Sequence, residues 1–248
     1  MKFIKSNLTK IIVASLIFPA VMIILAFFIR KHAVSSYWQM LSDLLVFVIA
    51  FLLNKFFFQQ KINWFNSKNW SAQLYTAMPA IILIAVLNSA TLTASDLAVK
   101  LRIIVLCLLV GLAEEYIFRG LLVSLFLKLF HNNVLGAVLG SSIMFGLIHT
   151  MNLKSMPIGY VSGQVIFAAA IGLLFGTIYI KTKNLSIVII LHALRDMFPM
   201  FSNKLMAEAA KMQFSMSSLY VIGVLFLITL FIAYAQLKDF KLEREVLS

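Results

Sequence analysis

Acidic residues are scarce in this chain, which has only nine Asp and Glu against 21 Lys and Arg among its 248 residues. Charged residues together make up 12% of the chain, hydrophobic residues 62%, and the mean hydropathy is +0.99. This composition excludes an ordinary soluble globular domain. The net charge of +12 is spread over loops and tails. That distribution is typical of a membrane protein that contacts anionic headgroups, so we expect no nucleic-acid partner.

Cysteine is almost absent as well. Cys107 is the only one, so no intrachain disulfide can form, and nothing follows about the redox compartment. The sequence also has no low-complexity stretch, no soluble domain and no repeat period, which disfavours an inverted-repeat transporter. We therefore predict a single integral membrane domain over residues 1–248. The lack of bulky soluble domains hints at a prokaryotic source.

Apolar segments dominate what remains. They run for roughly 16–28 residues between short polar breaks, about the length that a bilayer-spanning helix needs. The predicted fold class is all-α, a polytopic membrane protein with about eight transmembrane helices. The predicted spans are about 11–29, 40–58, 74–93, 101–130, 133–150, 160–180, 185–200 and 216–236.

Two of the scarce acids, Glu114 and Glu115, stand side by side within the fourth apolar span. A carboxylate at mid-membrane costs about 2.5–3.5 kcal/mol on insertion scales, so this doublet needs partners or a function. Glu115 and Arg119 are four residues apart on a helix, and a low dielectric makes their pairing close to obligatory. Glu114 projects about 100° away and has no cationic partner in this segment. We expect a structural Glu115 and a Glu114 free for chemistry, unless both acids only tie helices together.

Two later spans carry histidines. His149 lies four residues after Phe145, so the aromatic ring can pack beside the imidazole, and His192 lies four residues before Asp196. A carboxylate one turn from an imidazole can orient it, raise its basicity or join it on a metal. Each pattern alone has a structural alternative, an interfacial histidine or a structural His–Asp pair. Together with Glu114, these residues supply the parts for activating a water, with or without a metal.

Three motifs follow one another along the chain: EExxxR at 114–119, FxxxH at 145–149 and HxxxD at 192–196. All three lie within residues 101–200, which we predict to form the catalytic core helices. They resemble the CPBP (CAAX protease and bacteriocin-processing, or Abi) intramembrane endopeptidases, over about 111–196. The resemblance implies hydrolysis of a peptide bond, within or at the membrane, in a membrane-associated peptide or protein substrate.

The resemblance also implies residue roles. Glu114 matches the family's catalytic glutamate, and His149 matches the first histidine, which acts with it on water. Glu115 and Arg119 match positions that support the site. His192 and the residue four beyond it match the pair proposed to polarise the scissile carbonyl as an oxyanion hole.

Asp196 departs from one form of the pattern, because prenyl-protein processing members carry Asn there. An ionised Asp would repel an oxyanion, so it must be protonated, orient His192 or bind a metal. Family members have been described both as metalloproteases and as metal-independent glutamate proteases. Glu114, His149, His192 and Asp196 could serve zinc. However, no HExxH element is present, and we favour metal-free catalysis with no assigned cofactor.

The side of the membrane that the site faces follows from basic residues. With eight helices both termini lie on the same side of the membrane. Counting Lys and Arg outside the helices, that side carries twelve and the opposite side seven. Without the two terminal tails the counts are six and seven. The positive-inside rule then favours cytoplasmic termini in a multi-pass cell-membrane protein. This orientation places Glu114 and Asp196 towards the outer face, whereas prenyl-protein processing members act on cytosolic substrates. Either the substrate differs, for example an exported peptide, or the charge count misleads.

Two other classes of function stay open. Related sequences are linked to bacteriocin self-immunity and to regulation of membrane sensor proteins, so a non-catalytic immunity or regulatory scaffold is one alternative. A proton-coupled transporter is the other, because transporters also use intramembrane Glu and His.

Overall fold

Helices make up almost all of the regular structure in the computed structural model, which describes residues 2–28, 37–88, 96–200 and 215–242. No strand occurs in those ranges. The predicted all-α, polytopic membrane fold is confirmed, and eight helical rods within these ranges correspond to the eight predicted spans. Residue 29 of the first predicted span and residues 89–93 of the third lie outside the described ranges. The α-helices are α1 (Lys2–Phe28), α2 (Tyr37–Leu53), α3 (Trp70–Asn88), α4 (Leu97–Glu115), α5 (Val123–Leu129), α6 (Val134–Ile148), α7 (Ile158–Thr182), α8 (Leu185–Met200) and α9 (Met216–Leu237).

Three rods change helix type along their length. Helix α2 ends in a π-helical turn at Asn54–Phe58, and α6 ends in a 3-10 turn at His149–Lys154. A second π-helical turn, Tyr116–Leu122, joins α4 to α5, so residues 97–129 form one continuous rod. Single π-helical turns inside α-helices occur frequently at functional sites. This one begins immediately after the glutamate doublet.

Six of the described rods are long and apolar enough to cross a bilayer by length and composition. The rod over 97–129 and helix α8 are not among them, and these two pack against each other. Burial differs strongly between rods. In the most apolar 18-residue stretch of each helix, 72% of the α7 residues are buried, against 11% of the α9 residues. Helix α7 therefore lies inside the bundle, where it packs on α6, α3 and α9.

The contact between α6 and α7 depends on small residues. A Cβ atom built on Gly176 would lie 2.9 Å from Val138 Cγ1, and one on Gly172 would lie 3.1 Å from Ser142 Cβ. Glycine at these positions lets the two backbones approach closely, as is usual between membrane helices. The close approach brings side chains of α6 and α7 to the same side of the rod over 97–129.

A segment without regular secondary structure, residues 59–69, fixes the start of α8. The backbone N–H of Leu185 donates to the carbonyl of Asn63 (2.9 Å), and that of Ser186 donates to the carbonyl of Trp64 (3.0 Å). These bonds satisfy amide groups that the first turn of any helix leaves without an intrahelical partner. They also set the height of α8 in the bundle, and with it the height of its histidine two turns further on.

Candidate active site

Glu115 is the centre of a buried ion-pair network. Its Oε1 accepts a hydrogen bond from Arg119 Nη1 (2.8 Å) and lies 2.6 Å from His192 Nδ1. The side chains of Glu115, Arg119 and His192 are 0%, 1% and 6% exposed. The pair with Arg119 is the one that the spacing predicts. The contact with His192 is additional, because spacing within one segment carries no information about a residue on α8.

The second ring nitrogen of His192 faces two further carboxylates. Its Nε2 lies 3.2 Å from Asp196 Oδ2 and 3.6 Å from Glu114 Oε2. Glu114 is buried and its Oε2 has no hydrogen-bond partner, whereas the Asp196 side chain is 31% exposed. The two adjacent glutamates thus reach opposite edges of one imidazole: Glu115 lies at Nδ1 and Glu114 at Nε2.

His149 lies at the edge of this cluster and is partly exposed. Its ring packs edge-on against Phe145 at 5.3 Å between centroids, as the FxxxH spacing predicts, and Phe145 also packs edge-on against His192 at 5.7 Å. Residues 114 and 149 are about equally distant along the chain from the turn at 130–133. Antiparallel packing of α6 on the rod over 97–129 therefore places Glu114 and His149 at similar depth, with Phe145 between the two histidines.

Two phenylalanines enclose the buried guanidinium. The Arg119 Cζ lies 4.3 Å from the ring centroid of Phe145 and 5.5 Å from that of Phe175, distances at which a cation is attracted to a ring face. Phe175 also contacts His192, with 5.9 Å between ring centroids. Phe175 was not among the predicted site residues. The nearby Gly172 leaves room for the guanidinium, because a Cβ there would lie 3.2 Å from Arg119 Nη2. Neither contact can be read from spacing along the chain.

Asp43 is a fourth acid within the helical rods, and it was not among the predicted site residues although it falls inside the second predicted span. Its side chain is fully buried on α2, which packs against α4. Its Oδ2 accepts a hydrogen bond from Gln39 Nε2 (3.0 Å), and its Oδ1 has no hydrogen-bond partner. Asp43 lies within electrostatic range of Glu114. The acidic character of the site therefore extends from α4 and α8 towards α2.

The four candidate zinc ligands do not form a preformed metal site. Within the described ranges, no three or more His, Cys, Asp and Glu side chains are grouped so that they could hold a metal ion. Zinc needs a free imidazole nitrogen at about 2.0–2.1 Å. In His192, Nδ1 is engaged by Glu115, so Nε2, which points at Asp196 and Glu114, is the nitrogen that would bind a metal.

Fold and cluster together describe a polytopic helical membrane protein with a carboxylate–imidazole site in its interior. Residues 96–198 match the family model described as Rce1-like, type II CAAX prenyl endopeptidase Rce1-like. The matched segment runs from the start of α4 almost to the end of α8 and includes all three motifs. The resemblance to the CAAX protease family is confirmed, and the match supports a multi-pass membrane protein of the protease class. No curated protein and no solved structure matches the chain significantly.

Proposed function

We propose that the protein is an intramembrane endopeptidase that hydrolyses a peptide bond in a membrane-associated peptide or protein, with Glu114 as the general base. The observation that carries the proposal is the contrast between the adjacent glutamates. Oε1 of Glu115 is engaged by both Arg119 and His192 Nδ1, whereas Glu114 faces Nε2 of the same ring at the longer distance of 3.6 Å. Oε2 of each glutamate is buried without a hydrogen-bond partner. A carboxylate with an open oxygen in a dry interior can bind and deprotonate a water.

The reaction is ordinary peptide-bond hydrolysis. Water loses a proton to Glu114 and its oxygen attacks the scissile carbonyl carbon, while His149, at similar depth, positions the water. The carbon–nitrogen bond then breaks, and Glu114 returns the proton to the leaving amine. His192, protonated on both ring nitrogens, stabilises the developing oxyanion with its Nε2–H, which passes from Asp196 Oδ2 to the oxyanion. Hydrogen-bond donors aimed at developing charge give the largest single contribution in many enzymes.

Asp196 and Glu115 act through His192 in this proposal. Glu115 holds Nδ1 at 2.6 Å and so directs Nε2 towards Glu114. Asp196 lies 3.2 Å from Nε2. At that distance the carboxylate can accept the Nε2–H before substrate binds, which is the orienting role that we assign to it. Carboxylates that fix the tautomer and direction of an imidazole are common in enzymes that use histidine.

The test is cleavage by Glu114→Gln protein in lipid nanodiscs, using a library of membrane-anchored peptides and mass spectrometry of newly formed termini. Loss of a general base should lower the cleavage rate by about 10²–10⁴-fold. Asp96→Asn is the matched control, because Asp96 is exposed at the start of the same helix and its side chain makes no capping hydrogen bond. Cleavage by Glu114→Gln at the rate of Asp96→Asn would refute the proposal.

Companion measurements separate the alternatives. A scaffold would keep its biological effect in Glu114→Ala, and a transporter would give proton-dependent flux in proteoliposomes without cleavage. Quantitative metal analysis of active protein decides between metal-dependent and metal-free hydrolysis. Peptides with and without a prenylated cysteine test the substrate class, and reporter fusions at both termini test the predicted cytoplasmic orientation.

A further inference from the structure

A cavity of about 610 Å³ opens at the end of the bundle remote from the candidate active site. The first turns of α1, the π-helical turn that ends α2 and the turn that follows α5 surround it. Lys128 contributes from the continuous rod that also carries Glu114. At 1.5 Å per residue these two positions are roughly 20 Å apart along the rod. The cavity is therefore a separate site.

The cavity is basic. Lys10 from α1 and Lys128 from α5 line it together with His131, and its described lining contains no Asp or Glu. The Lys10 Nζ lies 3.4 Å from the carbonyl oxygen of Phe58, so a neutral acceptor is its hydrogen-bond partner there. The two lysines are close enough to repel each other. Two ammonium groups in one cavity without a carboxylate favour an anionic ligand.

A neutral donor points to the same conclusion. Asn7 lines the cavity and is only 6% exposed, and its amide Nδ2 has no hydrogen-bond partner. Buried polar groups in folded proteins are nearly always hydrogen-bonded, so this donor calls for an acceptor that enters from the cavity. Three donors from α1 and α5, two of them charged, suit a group with several acceptor oxygens.

We propose that this cavity binds a phosphate group, and that the phosphate belongs to the headgroup of an anionic phospholipid. Charge-assisted hydrogen bonds to phosphate oxygens are the strong ones, and lysine is an established phosphate ligand. The cavity lies where helices begin and end, at the level of the headgroups. Phe56 and Phe57, 71% and 43% exposed beside it, can contact the acyl chains. Basic pockets between transmembrane helices bind anionic headgroups in this way.

The experiment measures binding to purified, delipidated protein in detergent by native mass spectrometry and by the shift in thermal unfolding midpoint. Three probes are used: dihexanoyl phosphatidylglycerol, dihexanoyl phosphatidylcholine and inorganic phosphate. Lys10→Gln and Lys128→Gln should each weaken phosphatidylglycerol binding about fivefold, and the double variant should weaken it more than tenfold. Lys55→Gln is the control, because Lys55 is exposed in the π-helical turn outside the cavity lining and should stay within twofold.

A second variant covers the case in which a lysine variant does not fold. Asn7→Asp keeps the size of the side chain and puts a carboxylate into the cavity, so it should abolish binding of the anionic lipid. Lysine-dependent binding of inorganic phosphate but not of the lipid supports a phosphate site and moves its source to solution. No binding of any probe, or equal binding by wild type and the double variant, overturns the proposal. The readout is binding, so it is independent of the proposed endopeptidase activity.

Discussion

A single methyl group added at Gly146 should separate α6 from α7 next to the candidate active site. The Cβ atom of Gly146→Ala would lie 2.5 Å from the carbonyl oxygen of Val165 and 3.1 Å from Ala169 Cβ. Ordinary van der Waals contact begins at 3.4 Å, so the methyl group is 0.9 Å too close to a backbone atom. A backbone carbonyl cannot rotate away as a long side chain can, and α6 must therefore move relative to α7.

The expected cost follows from two opposing effects. Overpacking a close-packed interior costs about 1–3 kcal/mol, and replacing Gly by Ala inside a helix gains about 1 kcal/mol of intrinsic propensity. Gly223→Ala in α9 is the matched control, because no heavy atom lies within 4 Å of a Cβ at Gly223. The propensity gain is common to both variants. The difference in their free energies of unfolding should therefore equal the overpacking cost, about 1–3 kcal/mol.

The same displacement should lower activity. Gly146 lies one residue after Phe145 and three before His149, and a misplacement of about 1 Å near reacting groups can cost about 10²-fold. Unfolding in mixed micelles titrated with sodium dodecyl sulfate gives the stability, and cleavage of a membrane-anchored peptide gives the rate. The prediction is refuted if Gly146→Ala and Gly223→Ala have the same free energy of unfolding and Gly146→Ala cleaves at the wild-type rate. The close contact at Gly146 would then not control the site.

Two further predictions concern the ion-pair network. Arg119→Met should lower the free energy of unfolding by about 3–5 kcal/mol, because Glu115 is left buried without its cation. Adding Glu115→Gln to this variant should recover part of that loss in the same unfolding assay. If the double variant is destabilised as much as Arg119→Met alone, the pairing is contradicted. Asp196→Asn should keep the cleavage rate within about tenfold of wild type, since the amide oxygen can still accept a hydrogen bond from His192, whereas Asp196→Ala should fall further. An Asp196→Asn protein as slow as the alanine variant would show that the negative charge is needed.

The helical rods were predictable because a bilayer leaves so few solutions. Backbone groups in lipid must be hydrogen-bonded within their own segment, so each long apolar run becomes a helix. The ends of the rods were less predictable: α1 begins at Lys2, well before the predicted span, because basic residues are compatible with a helix outside the apolar layer. The π-helical turn Tyr116–Leu122 was not predicted, since a change from i+4 to i+5 hydrogen bonding leaves no mark on composition.

Contacts within one helix were also predictable, because residues four apart share a face. The structure contains the three contacts that spacing predicts: Glu115–Arg119, Phe145–His149 and His192–Asp196. Contacts between helices were not predictable in the same way. The resemblance paired Glu114 with His149, and it gave no indication that both glutamates contact His192. Which helix faces which depends on packing details such as the close approach of α6 and α7, and a single sequence gives no measure of these.

The position of α8 explains how two adjacent, chemically identical side chains acquire different environments. Neighbouring residues on a helix diverge by about 100°, so one imidazole placed between them meets each carboxylate at a different edge. Arg119, one turn further on, forms its ion pair with Glu115 at 2.8 Å, and the same carboxylate oxygen lies 2.6 Å from His192 Nδ1. Glu114 receives no such cation from its own helix. One acid of the doublet, paired with Arg119, therefore holds the imidazole at Nδ1, while the other acid lies at Nε2 without that cation.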